Sequence, residues 1–152
     1  MKLFNQSLII LLFFYITFIS ALQLSGQTIY DEKRVVFSTD QRISLNAILR
    51  DASYSRFTPS NIDIDSTDII IQKNFPLTYN EKKVNSFENY FRQYYGLVIN
   101  GRKLIFLNGY CFKPEGFLEN KSGFKGGGNC FFIMLVDITN KKIDSLYFNA
   151  PK

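Results

Sequence analysis

The sequence predicts an α+β domain in which two N-terminal helices pack on a C-terminal four-stranded antiparallel meander. The second half of the chain is aromatic and β-branched, as strands prefer. It also contains Asn100-Gly101, a strong hairpin signal because both central residues of a type I′ turn need a positive φ. Upstream of Pro76, apolar residues recur at helical spacing. Two helices can cover one apolar face of such a sheet.

The N-terminus has the pattern of a secretion signal. Lys2 precedes an uncharged apolar run over residues 8–19, and small residues follow it. We therefore expect residues 1–26 to be a signal peptide, with the mature protein starting between residues 21 and 27. The alternatives are a buried core helix and an uncleaved membrane anchor over residues 8–22, although a spanning helix needs about 20 apolar residues.

Residues 27–152 are expected to form a single α+β domain, large enough to bury a core. The full chain has 16 Phe, 9 Tyr and no Trp, so that core is expected to be aromatic. Residues 81–152 carry 11 Lys and Arg against 6 Asp and Glu, whereas residues 31–80 carry 6 against 7. The basic half favours anionic partners, or its Lys side chains are simply solvated. Without a dense basic helix, we expect no nucleic-acid partner.

The first predicted helix covers residues 41–54 and follows an irregular lead-in over residues 27–40. The lead-in has the composition of a short strand at residues 35–37. Ser38-Thr39-Asp40 is a suitable helix start, and an apolar stripe follows at Ile43, Ala47 and Ile48. Residues 58–61 should end this helix and form a loop.

The second predicted helix covers about residues 66–75. Ser66 or Thr67 would cap it. The triple Ile at residues 69–71 suits a strand as well as a helix, and Pro76 limits either element.

The C-terminal half is expected to form the meander. A polar surface connection over residues 77–88 leads into it. The predicted strands cover about residues 90–99, 103–112, 130–138 and 143–148. A loop over residues 113–128 joins the second and third strands.

Four segments of this half occur in a familiar order. They are Tyr90–Gly96 (YFRQYYG), Lys103–Cys111 (KLIFLNGYC), Gly126–Phe132 (GGGNCFF) and Leu146–Ala150 (LYFNA). Over residues 88–150 the chain resembles a group of small exported bacterial proteins of unassigned function, which share YxRQYxG, a Cys-ending strand and GGxCxF. The resemblance implies an α+β domain with a repeated Cys pair, and it implies no catalytic residue. The order of helices and meander is also similar to cystatin-like folds, an analogy of architecture alone.

The chain contains no His, which narrows the chemistry that it can perform. His is the commonest general acid or base and the commonest metal ligand, so His-dependent triads and zinc sites are excluded. We expect no catalytic residue, no metal site and no cofactor. An enzyme that uses two carboxylates, such as a glycosidase, is the class of enzyme left open.

Cys111 and Cys130 are the two thiols of the chain. Two Cys in an exported domain usually pair, and each of these lies beside a predicted strand end. We therefore expect a structural disulfide. The alternatives are two buried free thiols and a redox-active pair, which normally has closer spacing.

Three weaker motifs have structural explanations beside their functional ones. The Gly run at residues 126–128 leads into a strand rather than a helix, so it is a turn or bulge rather than a phosphate loop. Asp63, Asp65 and Asp68 lack the Gly and Glu of a calcium loop and fit a helix entry better than a cation site. Asn120 begins a glycosylation sequon, which matters only in a host that glycosylates it.

Two places are candidates for binding. Strand alternation puts Arg92 and Tyr94 on one face, where they could bind a carboxylate, or pack under a helix with Arg92 paired to an acid such as Glu88. The loop over residues 113–128 is basic and apolar, so it either faces a partner or folds back onto the sheet. Its candidate binding residues are Lys113, Phe117, Lys121, Phe124 and Lys125.

The function most consistent with these features is an exported, non-enzymatic binding or interaction module with an unknown protein or envelope component as partner. The alternative is an inhibitor of a secreted hydrolase, of the protease or lysozyme class. We expect a periplasmic or extracellular location. The protein would contact a membrane only if its signal segment stayed uncleaved.

Overall fold

A computed structural model describes residues 27–41, 49, 53–119 and 126–149. Within these residues the fold has a mixed seven-stranded sheet, a separate two-stranded hairpin and one α-helix. The prediction of two helices on a four-stranded meander is therefore wrong. The elements are β1 (Gln27–Asp31), β2 (Arg34–Phe37), β3 (Ser55–Phe57), α1 (Asn61–Asn74), β4 (Thr78–Tyr79), β5 (Lys82–Lys83), β6 (Phe91–Ile99), β7 (Arg102–Tyr110), β8 (Phe131–Asp137) and β9 (Lys142–Phe148). Short 3₁₀ turns lie at Phe87–Asn89 and Gly128–Cys130.

The meander itself is present as β6 to β9, each strand antiparallel to the next. Asn100 and Gly101 both have positive φ, 50° and 75°, which confirms the predicted hairpin turn. Between β8 and β9 the register shifts by one residue, so Asp144 lies opposite no partner. A bulge of this kind bends an edge strand and makes it a poorer template for pairing with another chain.

Three further strands extend the sheet beyond β6. β2 pairs in parallel with the first half of β6, β3 pairs antiparallel with its second half, and β1 pairs with β2. The predicted strand at residues 35–37 is confirmed by β2. Most of the predicted helix 41–54 lies outside the described residues. Its last two residues have no helical structure, and β3 begins directly after them.

The helix α1 begins five residues before the predicted start, because its cap is Ser60. The Ser60 hydroxyl accepts a hydrogen bond from the Asp63 N–H at 3.3 Å, and the Asp63 carboxylate accepts one from the Ser60 N–H at 2.9 Å. This reciprocal pair satisfies backbone groups that a helix start leaves unpaired. Phe75 has an extended backbone before Pro76, which ends the helix as expected.

The central strands β6, β7 and β8 are buried on both faces. One face packs against α1, and its buried cluster includes Ile64, Ile71, Tyr94, Leu107 and Met134. The other face has a second cluster of buried residues, among them Phe37, Tyr95, Leu97, Phe106 and Phe117. The edge strand β9 is mostly exposed or half-buried, with Tyr147 58% exposed.

Candidate functional site

Arg92 and Tyr94, two of the predicted binding residues, lie in the interior. β6 directs both side chains towards α1, where Arg92 is 6% exposed and Tyr94 is fully buried. The Tyr94 hydroxyl donates to Oδ1 of Asp68 at 2.6 Å, and the Arg92 guanidinium donates to Oδ2 at 3.1 Å. Asp68 thus takes the place of Glu88 as the acid that pairs with Arg92.

Arg34 completes this buried ionic network. Its guanidinium donates to Asp68 at 3.1 Å and to Asp31 at 2.6 Å, and it lies over the ring of Tyr30. Because Arg34 is on β2 and Asp68 is on α1, the network ties the parallel strand and the helix to the meander. Its position indicates a structural role.

Electrostatics support that interpretation. Burial raises the pKa of Asp68, although Arg92, Tyr94 and Arg34 partly offset the effect. Burial also raises the pKa of Tyr94 well above its usual value, with the Asp68 charge adding to the shift. Tyr94 therefore remains a hydrogen-bond donor at neutral pH. Among the described residues, Nε of Arg92 is buried without a partner.

A second buried polar residue, Gln93, joins the loop after β7 to the opposite sheet face. Its Nε2 donates to the Phe117 carbonyl at 2.7 Å. Its Oε1 accepts from the hydroxyls of Tyr95 and Tyr110, at 3.2 Å and 3.0 Å. Gln93 was not predicted from the sequence as a site residue. The signal was a polar residue in the middle of an aromatic strand.

The described part of the loop is folded back onto the sheet. Phe117 is 2% exposed and contacts Phe91 and Tyr110, with ring centroids 5.8 Å and 6.3 Å apart. Lys113 is exposed. The other candidate residues of this loop, Lys121, Phe124 and Lys125, lie outside the described residues.

Cys111 and Cys130 form a disulfide, which confirms the predicted pairing. Their Cα atoms are 4.8 Å apart, and the Cys111 N–H donates to the Cys130 carbonyl at 2.9 Å. Cys111 and Cys130 therefore extend the β7–β8 strand pairing by one more residue pair. Disulfides are typical of oxidising compartments outside the cytosol. No helix in the described ranges has the length and apolar character needed to cross a membrane.

A groove of about 620 Å³ lies at the same end of the sheet, between the C-terminal end of α1 and the segment that leads to β6. Its apolar lining residues are Phe75, Pro76, Leu77, Val84 and Phe87. Its polar lining residues are Gln72, Thr78, Glu81, Lys83, Asn85, Ser86 and Glu88. The side chain of Leu77 is 84% exposed. The volume of this groove lies within the range of ligand-binding clefts, although its lining is more polar than most.

The base of the groove is a cluster of packed aromatic rings. The Phe75 ring packs between Phe87, Tyr90 and Phe132, with centroids 5.4 Å, 5.9 Å and 5.3 Å away. The pairs with Tyr90 and Phe132 are edge-to-face, an arrangement that aromatic rings prefer. Arg92 lies behind the groove, 4.5 Å from the centroid of the Phe87 ring.

The outer wall of the groove, defined here as residues 83–89, is held to the disulfide region by side-chain amides. Nδ2 of Asn85 donates to Sγ of Cys111 at 3.2 Å. Nδ2 of Asn129 donates to the Lys83 carbonyl at 2.6 Å, and the Asn129 carbonyl accepts from the Tyr90 hydroxyl at 2.6 Å.

Sequence analysis described residues 77–88 as a polar connection and so missed the groove. The available signal was the presence of apolar residues, among them Leu77, Val84 and Phe87, within that polar stretch. Whether they line a groove depends on Phe75, which the fold brings beside them.

The groove can bind by apolar contact along its floor and by hydrogen bonds from its amide, hydroxyl and charged groups. Within the described ranges, no cluster of three or more His, Cys, Asp or Glu residues could hold a metal ion. No protein-family model, no curated protein and no solved structure matches the chain.

Proposed function

We propose that this protein is an exported, non-enzymatic binding module, and that its groove binds an extended segment of a partner protein. The observation that carries the proposal is the exposed Leu77 beside an apolar floor of Phe75, Val84 and Phe87. A single exposed Leu is ordinary on a protein surface, but one that adjoins a concave apolar floor is a candidate anchor point.

The lining chemistry favours a peptide segment over a lipid chain. Seven of the lining residues are polar, among them Gln72, Asn85 and Ser86. Side-chain amides and hydroxyls can bond to the N–H and C=O groups of a peptide backbone, whereas an acyl chain would leave them unsatisfied. An apolar side chain of the segment would fill the floor.

Export is the second part of the proposal, and a periplasmic or extracellular location follows from it. The disulfide supports it, because such bonds persist in oxidising compartments. Residues 1–26 act as a cleaved signal in this proposal, and retention of residues 8–22 as a membrane tether is the alternative. The resemblance of residues 88–150 to small exported bacterial proteins stays a prediction.

Peptide display tests the groove directly. We expect random short peptides selected on the oxidised protein to share a large apolar residue. Leu77→Asp should weaken their binding by at least about tenfold, as loss of an interface anchor does. Titration calorimetry measures the affinities.

Ile62→Asp is the matched control, because Ile62 is also an exposed apolar residue (78%) but lies on the outer side of α1. Its affinity for the peptides should equal that of the unmodified protein. Equal losses in both variants, or no enrichment of any peptide, would contradict the proposal.

A further inference from the structure

We propose that the Cys111–Cys130 disulfide is a redox-sensitive latch on the groove, so that its reduction loosens the outer wall and weakens peptide binding. The inference concerns regulation of the groove, and its statement about peptide binding rests on the proposed function. The loosening of the wall can be measured without any ligand.

The first observation is direct contact between the disulfide and the wall. Asn85 lines the groove and donates its side-chain N–H to Sγ of Cys111 at 3.2 Å. The second contact lies next to Cys130, where Asn129 donates to the Lys83 carbonyl at 2.6 Å. Breaking the bond would free the Cys111 and Cys130 side chains to move, and we expect both contacts to loosen as a result.

Within the described residues, the backbone of the wall has few regular contacts, although the buried side chains of Val84 and Phe87 anchor it to the core. β4 and β5 pair with each other over two residues each and belong to a sheet separate from the main one. Val84 donates to the Leu77 carbonyl within the same segment, and Asn89 donates to the Ser86 carbonyl. Short elements of this kind open locally at low free-energy cost, so loss of two anchoring contacts should have a visible effect.

The disulfide can be reached by a reductant, because both cysteines are partly exposed. The thiolate of a dithiol attacks one sulfur, the S–S bond breaks, and a mixed disulfide forms. The second thiol of the reductant then displaces the protein sulfur. Two electrons and two protons pass to Cys111 and Cys130, which become thiols. The dithiol is oxidised to its cyclic disulfide.

The rest of the meander is independent of the bond. β7 and β8 pair through seven residue pairs from Leu104 to Tyr110, and β6 and β7 pair through nine. Reduction should therefore act first on the wall. At the opposite end of the sheet, Ile138 donates to the Lys103 carbonyl at 3.1 Å, and its amide serves as an internal control.

Amide hydrogen exchange of the exported protein, with and without dithiothreitol, tests the latch. The amides of Val84 and Asn89 should exchange at least about fivefold faster after reduction, as expected for loss of about one hydrogen bond. The Ile138 amide should be unchanged. Unchanged exchange in the wall, or equal acceleration at Ile138, would overturn the latch.

Asn85→Ala, kept oxidised, provides the second variant. It removes the contact to Cys111 Sγ and leaves the disulfide intact, so the wall should exchange faster while Ile138 does not. Slow exchange of the Val84 amide in this variant would show that Asn85 does not hold the wall.

Peptide affinity separates this inference from the proposed function. With a display-selected peptide as probe, reduction should weaken binding by about fivefold or more. If no peptide binds the oxidised protein, the proposed function fails, and the exchange data still decide the latch. If a peptide binds the oxidised and reduced forms equally, the latch fails and the binding function stands.

Discussion

The hydroxyl of Tyr94 on β6 lies 2.6 Å from Oδ1 of Asp68 on α1 and donates a hydrogen bond to it in the interior of the protein. Arg92 and Arg34 donate to the other carboxylate oxygen, each at 3.1 Å. One carboxylate therefore joins the helix to two strands. Removing one partner of such a group leaves buried charges uncompensated.

Asp68→Asn should lower the free energy of unfolding at neutral pH by about 1–3 kcal/mol, because the amide turns an N–H group towards donors that now bind the carboxylate. Urea unfolding of the oxidised protein measures the change. Asp65→Asn is the control, because this carboxylate is 58% exposed and accepts from Tyr30 at the surface. Its loss should be below about 1 kcal/mol. Equal losses would argue against a special role for Asp68.

Asp137 should make stability depend on pH below about pH 5. Burial alone would raise its pKa, but the hydrogen bonds from Asn140 and Arg102 outweigh burial and hold the pKa below its usual 3.8. The folded state therefore favours the ionised form, and its contribution is lost as pH falls through the folded pKa. The difference in unfolding free energy between the unmodified protein and Asp137→Asn should shrink as pH falls.

Asp68 gives the opposite slope in the same experiment. Burial raises the pKa of Asp68 in the fold above 3.8, so the folded state binds the proton more tightly than the unfolded state does. This tighter binding contributes its full stability below about pH 3.8. This contribution is lost as pH rises through the folded pKa. The difference between the unmodified protein and Asp68→Asn should therefore grow as pH falls, and equal slopes for both variants would contradict these two assignments.

Two Phe residues of one loop should respond differently to truncation. Phe117 is 2% exposed and packs between Phe91 and Tyr110, so Phe117→Ala should cost about 3–5 kcal/mol of unfolding free energy. Phe112 is 51% exposed, and Phe112→Ala should cost less than about 1 kcal/mol. Thermal unfolding compares the two. A small effect of Phe117→Ala would mean that the loop is not anchored through this ring.

N-terminal sequencing of the protein recovered after export should give a first residue between 21 and 27. The described fold begins with β1 at Gln27, which pairs with Phe37, so cleavage at or before residue 26 leaves every described strand intact. An intact Met1 in a membrane fraction would support the tether over residues 8–22 instead.

The elements that the sequence predicted well carry their signals locally. Asn100-Gly101 requires positive φ at both residues, and this fixed the β6–β7 hairpin. The spacing of the two Cys beside strand ends predicted the disulfide. The alternation of Arg92 and Tyr94 predicted that they share one face, and left open whether a ligand or a helix covers that face.

The elements that the sequence did not reveal depend on distant contacts. The parallel pairing of β2 with β6 joins Val36 to Tyr94, far apart in the chain, and neither residue signals it. The start of α1 was missed because the residue three positions after Ser60 is Asp63, whereas the usual capping box has Glu or Gln there. The groove was missed because α1 brings Phe75 beside Phe87.

Chemical-shift mapping by NMR tests the binding groove most directly. The oxidised, isotope-labelled protein is titrated with a display-selected peptide, and the amide shifts are followed. The account predicts that the largest changes fall on Leu77, Val84, Asn85 and Phe87, and that Ile62 and Gly101 stay unchanged. Changes centred on the Gly101 hairpin or on the outer side of α1, with none at residues 75–88, would contradict it.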